Sequence, residues 1–413
     1  MRRKTRQILI PYAIVILLAY IAFSLPLPIF PEMFLDPVKS IIPNATIEKR
    51  MILLGLMMSS FPLGQFLGSP ILGKLSDLYG RKKTILFSLA GATVGYLITA
   101  FSVYSYSIWG MFLGLALCGF CEGNVTIAQS VVADLTVKEE HHTEKAVHFG
   151  WINIFISLGF IIGPLMGGQL ANPEVVSWFT LSTPFWFAGG MTVLGMGIIY
   201  WYSKETLKNK PKDQQEFSHQ PKRQNLLQTF PRLKRFFAAN FFLAVGYFAF
   251  FRFFPVFLKQ RFDFSASQLS LIMVYNSLAI AAGVIWLIPF LSKRFRPITS
   301  LCLFSILLAV SIMVCLFPLS PYALIFTLLP VGLCLAVVIT NGALLISNTA
   351  SEQLQGQVMG TLTSVQVLAE MITGLAGGPL AAYTMAFPLY IGASMAIVCS
   401  LILFHSIRKE KRN

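Results

Sequence analysis

Residues 73–83 read "GKLSDLYGRKK". Lys74, Asp77, Arg81, Lys82 and Lys83 crowd into this stretch, although only 12% of the chain is charged. Apolar runs near 50–73 and 84–103 flank it, each long enough for a helix to cross a hydrocarbon layer roughly 30 Å thick. Gly73 and Gly80 permit close backbone approach and a tight turn. Asp77 can cap a helix N-terminus, and Arg81 can form a bidentate ion pair. Dense charge on a short connection between two apolar helices is the pattern of a membrane protein.

The whole chain follows suit. Of its 413 residues 55% are hydrophobic, and the mean hydropathy is +0.69, more apolar surface than a water-soluble core absorbs. Twelve apolar stretches lie near 8–30, 50–73, 84–103, 107–133, 147–170, 183–202, 236–258, 268–291, 298–317, 320–345, 358–381 and 385–406. Barrel strands would instead alternate over ten-residue segments, so the expectation is helical. The first stretch follows Arg2, Arg3, Lys4 and Arg6, as in a signal peptide. Its apolar run is too long and lacks a small-residue cleavage site, which makes it a retained first helix.

A net charge of +15 raises nucleic acid as a partner, but the placement of the charge argues for a lipid bilayer instead. With the N-terminus inside, alternating topology puts 26 of the 32 Lys and Arg on the cytoplasmic side. Lys39, Lys49, Arg50, Lys259 and Arg261 fall in outer loops, and Arg252 falls within a helix. This positive-inside asymmetry places both termini in the cytoplasm.

The one long polar segment, 203–235, divides six apolar stretches from six. The expected organisation is a bundle over 1–202, a cytoplasmic linker over 203–235, and a second bundle over 236–413. A faint repeat supports duplication. "GFIIGPLMGG" (159–168) meets "GLAGGPLAAY" (374–383), and "LSDLYGRKK" (75–83) meets "LSKRFRPIT" (291–299), at offsets of 215 and 216. Parallel repeats of this kind build many transporters.

In spacing and residue type, 73–83 resembles the signature of the major facilitator superfamily in the loop between helices 2 and 3. The resemblance implies an all-α membrane protein of twelve helices in two pseudo-symmetric bundles. It implies that Asp77 faces the start of helix 11, near Gly356 to Gly360, and that Arg81 pairs with Asp134 at the end of helix 4. Gly73, Asp77, Gly80, Arg81 and Asp134 would then form a gate between moving halves; the plainer reading is a solvated loop that sets topology. Along helix 5, Gly150, Gly159, Gly163, Pro164, Gly167 and Gly168 are similar in spacing to the antiporter motif of the drug:proton exporters in that superfamily. Small residues let helices pack closely, and Pro164 bends the helix. "PLPIFP" (26–31) resembles the proline-rich end of helix 1 in the same group.

Two departures matter. The exporters usually carry an Arg in helix 4 four residues before a Gly, where this chain has Leu115 before Gly119. Helix 1 has no mid-membrane acid, since Glu32 and Asp36 sit at or beyond its outer end. Two other acids lie at mid-helix instead: Glu122 in helix 4 and Glu370 in helix 11. A charge at the bilayer centre costs about 2.5–3.5 kcal/mol on insertion scales, so each is expected to face an interior cavity. A carboxyl out of water exchanges its proton nearer physiological pH, as a proton carrier must. Coupling or substrate binding is one role for these acids; a static buried hydrogen bond is the other. Arg252, in "FAFFRFFPVF" (248–257), either snorkels to the outer surface or pairs with a carboxylate or anionic substrate. The Phe-rich helix around Tyr247 is either an aromatic wall or a lipid-facing surface. Gln65, Asn124, Gln129, Asn153, Asn240, Asn276, Asn341 and Gln366 either line a cavity or join helices.

Enzyme chemistry is not written here: there is no phosphate loop with Lys-Ser/Thr and no nucleophile elbow. His141-His142 beside Glu139, Glu140 and Glu144 reads as a solvated loop rather than a metal cluster, and Cys118 and Cys121 as packing. No cofactor or metal is expected. The reading is a monomeric inner-membrane transporter that exports a small organic molecule in exchange for protons. Its rivals are a metabolite or siderophore carrier of the same fold and a membrane sensor, the last disfavoured by the short tail "SIRKEKRN" (406–413).

Overall fold

The structure is a computed structural model, and it describes residues 3–123, 127, 131, 142–203, 205, 231–317, 320–349 and 354–410. Those residues form thirteen helices and no strand. In chain order they are α1 Arg3–Ser24, α2 Phe30–Leu35, α3 Ile47–Tyr79, α4 Arg81–Tyr104, α5 Ile108–Phe120, α6 His142–Leu170 and α7 Thr183–Tyr202. Then follow α8 Pro231–Phe262, α9 Ala266–Ser292, α10 Pro297–Val314, α11 Ala323–Ser347, α12 Gln355–Tyr383 and α13 Phe387–Glu410. Eight of them, α3, α4 and α8 to α13, are long and apolar enough to cross a membrane. Shorter apolar windows lie in α1, α5 and α6. Large apolar side chains such as Phe101, Trp109, Trp178, Trp286 and Phe317 are exposed, as on a surface that meets hydrocarbon.

Three helices depart from the plain rods expected. The first apolar stretch does not run unbroken to residue 30. Pro26 and Pro28 cannot donate to the ladder, so α1 stops at Ser24, turns follow, and α2 resumes at Phe30. The fourth does not run unbroken to 133 either, because α5 ends at Phe120 and residues 121–123 are non-helical. In the break the Cys121 carbonyl accepts from the Gly123 N–H at 2.9 Å and from the Ser88 hydroxyl of α4. In α9, Gly283–Leu287 widens to a π-turn just ahead of Pro289, whose missing N–H releases the carbonyl one turn back.

By contacts the chain divides into two compact units. The first comprises Met1–Ala45, Ser60–His219 and Phe264–Val274; the second comprises Thr46–Ser59, Gln220–Asp263 and Tyr275–Asn413. In the first, α1 packs on α6 and α7, and α4 packs on α5 and α7. Its core includes Tyr12, Val15, Ile16, Ile85, Leu89 and Ile199. In the second, α8 packs on α11, α12 and α13, while α10 packs on α11 and α13. Two helices are shared: the start of α3 belongs with the second unit, and the start of α9 with the first.

Candidate functional site

The charged stretch 73–83 is a corner between α3 and α4 made by one residue. Gly80 has φ +103, which only glycine adopts without strain. A Cβ there would also lie 2.4 Å from Glu205 Oε2. Glu205 accepts from the backbone N–H of Arg81 at 2.9 Å and of Lys82 at 3.2 Å, filling the N-terminus of α4 with an acid. In return Lys82 Nζ donates to the carbonyls of Tyr200 and Ser203, both at 2.8 Å, at the C-terminal end of α7. Sequence reasoning missed Glu205. Its N–H partners are distant in sequence, so its own stretch does not announce it.

Arg81 is buried and donates to Asp77 Oδ1 at 2.6 Å and to Ser76 Oγ at 3.0 Å. Asp77 is about half exposed. Asp134, the expected partner of Arg81, lies outside the described residues, as do Asn124, Gln129, His141 and the side chains of His142, Glu144 and Asn153. Gly73 does not serve a close approach: among the described residues, nothing stands within 4 Å of where its Cβ would be.

The glycine series of α6 lies where close approach is needed, against α1. A Cβ at Gly159 would come within 2.5 Å of Tyr20 Cβ, at Gly163 within 1.9 Å of Ser24 Oγ, and at Gly167 within 1.9 Å of the Leu25 carbonyl oxygen. Ser24 Oγ donates across the seam to the Gly159 carbonyl at 3.0 Å. Gly168 faces the start of α9, where Ser267 Oγ donates to its carbonyl at 2.9 Å. Gly150 and Pro164 lie in the same helix. Near this seam is an acid to which sequence reasoning assigned no role. Glu32 on α2 is buried, with Oε1 2.6 Å from Lys39 Nζ and Oε2 accepting from the Ala266 N–H at 2.7 Å.

The second unit brings together two of the three membrane candidates. Arg252 on α8 does not snorkel. Its Nη2 pairs with Glu370 Oε1 on α12, and its Nη1 donates to the Met58 carbonyl on α3. The side chains of the pair are 10% and 13% exposed. Tyr247 is buried beside Glu370 and Gln366. Phe250, Phe253, Phe254 and Phe257 are buried too, with the rings of Phe250 and Phe254 stacked at 4.8 Å. That corrects the lipid-facing reading of this helix. Asn240 joins helices, donating to the carbonyls of Phe236 and Gly342, both at 3.3 Å.

Glu122 belongs to the first unit and is not mid-helix: it sits in the break after α5, its N–H bonded to the Gly119 carbonyl at 2.9 Å. Its carboxyl lies near Tyr96 and Cys118 and has no ion pair among the described residues. All six cysteines are free, and no group of three or more His, Cys, Asp or Glu side chains gathers among the described residues.

Comparison with known proteins supplies the family. The family model described as Major Facilitator Superfamily matches residues 12–374. Tetracycline resistance protein, class H, of Pasteurella multocida is 26% identical over 348 residues, covering 81% of this chain and 79% of that one. Multidrug resistance protein 2 of Bacillus subtilis is 26% identical over 371 residues, 87% of each. With tetracycline resistance protein, class B, of Escherichia coli the match is 31% over 152 residues and spans only 35% of that relative's length. Among solved structures, the human organic anion transporter MFSD10 (TETRAN) aligns with TM-score 0.69 at 21% identity, covering 97% of this chain and 99% of that one. The chain therefore belongs to the Major Facilitator Superfamily, whose members are membrane transporters and not enzymes.

Proposed function

We propose that the protein is a twelve-helix carrier of the plasma or inner membrane, with both termini cytoplasmic, that exports a small organic molecule in exchange for protons. One chain supplies both bundles, 1–202 and 236–413, and works as a monomer. The observation that carries this reading is the Arg252–Glu370 pair: two charges withdrawn from water on facing helices, beside Tyr247 and an aromatic helix face. Intramembrane charge is retained where it moves ions or substrate. Taking a proton neutralises Glu370 and frees Arg252, which gives two states of one site. Glu122, in a helix break of the other unit, is the second acid available for coupling or binding. The Gly80 corner with Asp77 and Arg81, and the α6 glycine seam, are the gating and packing parts. The tetracycline and multidrug resistance relatives support export.

A second reading is favoured by Arg252 itself and by the description of MFSD10 as an organic anion transporter. An anionic cargo would compete with Glu370 for the guanidinium, so cargo and proton would bind together and move in the same direction. Uptake into inside-out vesicles separates the two. A substrate that accumulates when the vesicle interior is acid, and is lost on adding a protonophore, supports exchange; accumulation only when the outer medium is the acid side contradicts it.

A further inference from the structure

We infer that Pro62 is a positioning residue through which the protonation state of Glu370 is transmitted to the first half of α3. Proline has no N–H and cannot donate to the carbonyl four residues before it. In α3 that carbonyl is Met58, and Arg252 Nη1 donates to it while Nη2 holds Glu370. One guanidinium therefore spans α3, α8 and α12, using an acceptor that Pro62 leaves without its helical donor. A different residue at 62 would close the helical bond and set its N–H in competition with Arg252 for the Met58 carbonyl.

The segment so held is built to respond. Thr46–Ser59 packs with the second unit and ends just before Pro62. It rides on α12 at backbone distance: a Cβ at Gly55 would lie 2.5 Å from Gly378 Cα, and Ser59 Oγ donates to the Met371 carbonyl at 3.2 Å. Ser59 and Arg252 supply polar ties across this contact. When Glu370 is protonated, the guanidinium loses its counter-charge, and its bond to the Met58 carbonyl is released or reoriented. The groups facing Glu370 are Arg252 and Tyr247 of α8; Gln366 of α12 hydrogen-bonds Tyr247, and the Met58 carbonyl of α3 accepts from Arg252. The charged residues at the start of α3, Glu48, Lys49 and Arg50, stand about two turns or more before Met58. The other helices against α12 are α11 and α13. Their ionisable residues, Cys334 on α11 and Tyr390, Cys399, His405 and Arg408 on α13, form no ion pair with Glu370 among the described residues.

The inference rests on the proposed role of Glu370 as proton carrier, and the test keeps the two apart. Hydrogen exchange of the 50–59 segment is followed in the full-length protein in nanodiscs at one fixed pH, with Glu370→Gln standing for the protonated acid. Glu370→Gln should lose protection relative to wild type, by about tenfold, which corresponds to about 1.4 kcal/mol. In the Pro62→Ala background, where Met58 regains its helical donor, adding Glu370→Gln should leave the exchange unchanged. Arg252→Lys keeps the charge but offers one nitrogen to two acceptors, and should weaken the response without abolishing folding. An equal loss of protection from Glu370→Gln in the wild-type and Pro62→Ala backgrounds overturns the inference. Substrate-evoked proton release is measured on the same variants: release lost in Glu370→Gln with α3 unresponsive overturns the relay alone, whereas release that persists removes the carrier and the relay together.

Discussion

Replacing Arg252 with methionine should cost far more than replacing the whole ion pair. The substitution leaves Glu370 almost out of water without its counter-charge, and leaves the Met58 carbonyl without a donor. Breaking a buried pair costs about 3–5 kcal/mol, and an orphaned buried acceptor about 1–3 kcal/mol. Arg252→Met should therefore destabilise by about 4–8 kcal/mol, and Glu370→Met, which leaves Arg252 buried without its counter-charge, by about 3–5 kcal/mol. The double substitution removes both charges and retains only the carbonyl defect, about 1–3 kcal/mol. Thermal unfolding of purified protein in one detergent reads this out, at roughly 2–4 °C per kcal/mol for a unit of this size. The double variant should melt above either single one. A double variant whose loss equals the sum of the single losses would refute the argument, because it would mean that the two charges do not compensate each other.

Other parts of the structure give sharper local expectations. Gly167→Val forces a side chain onto the Leu25 carbonyl and should cost about 1–3 kcal/mol in melting, while Gly190→Ala, where a Cβ meets nothing within 4 Å, should change stability little. Gly80→Ala meets both a φ of +103 and the Glu205 carboxylate, and should lose about 1–2 kcal/mol by the same measurement. Glu205→Ala removes the acceptor for two N–H groups at the start of α4 and should cost about 1 kcal/mol, with Glu205→Gln intermediate. Glu32→Ala uncaps Ala266 and leaves Lys39 without its partner; exchange of the 264–274 amides should rise, and unchanged exchange there would contradict the cap.

Apolar runs and charge placement carried the membrane character, because hydropathy and loop charge act locally along the chain, and the resemblance of 73–83 to a known signature carried the family. The same holds for Gly80, whose positive φ followed from a turn with no room for a side chain. The breaks were less legible. Pro26 and Pro28 marked the end of α1 in plain sight, but no local pattern announces the gap at Cys121 to Gly123 or the Ser88 hydroxyl that donates into it. Arg252 and Glu370 were each readable as costly charges in apolar helices; their pairing was not, since it joins residues distant in sequence. Glu205 and Glu32 were hidden for a related reason. Each acid serves backbone N–H groups of another segment, and such partners leave no mark in composition.

The central claim is exchange of substrate for protons through a buried acid, and proton movement across inside-out vesicles tests it most directly. A panel of cationic dyes, siderophores and small metabolites is added to vesicles holding wild type, Glu122→Gln or Glu370→Gln. Substrate-evoked proton release is expected in wild type, and Glu370→Gln should abolish it. Substrate movement with no proton signal, the same in wild type and both variants, would contradict the claim.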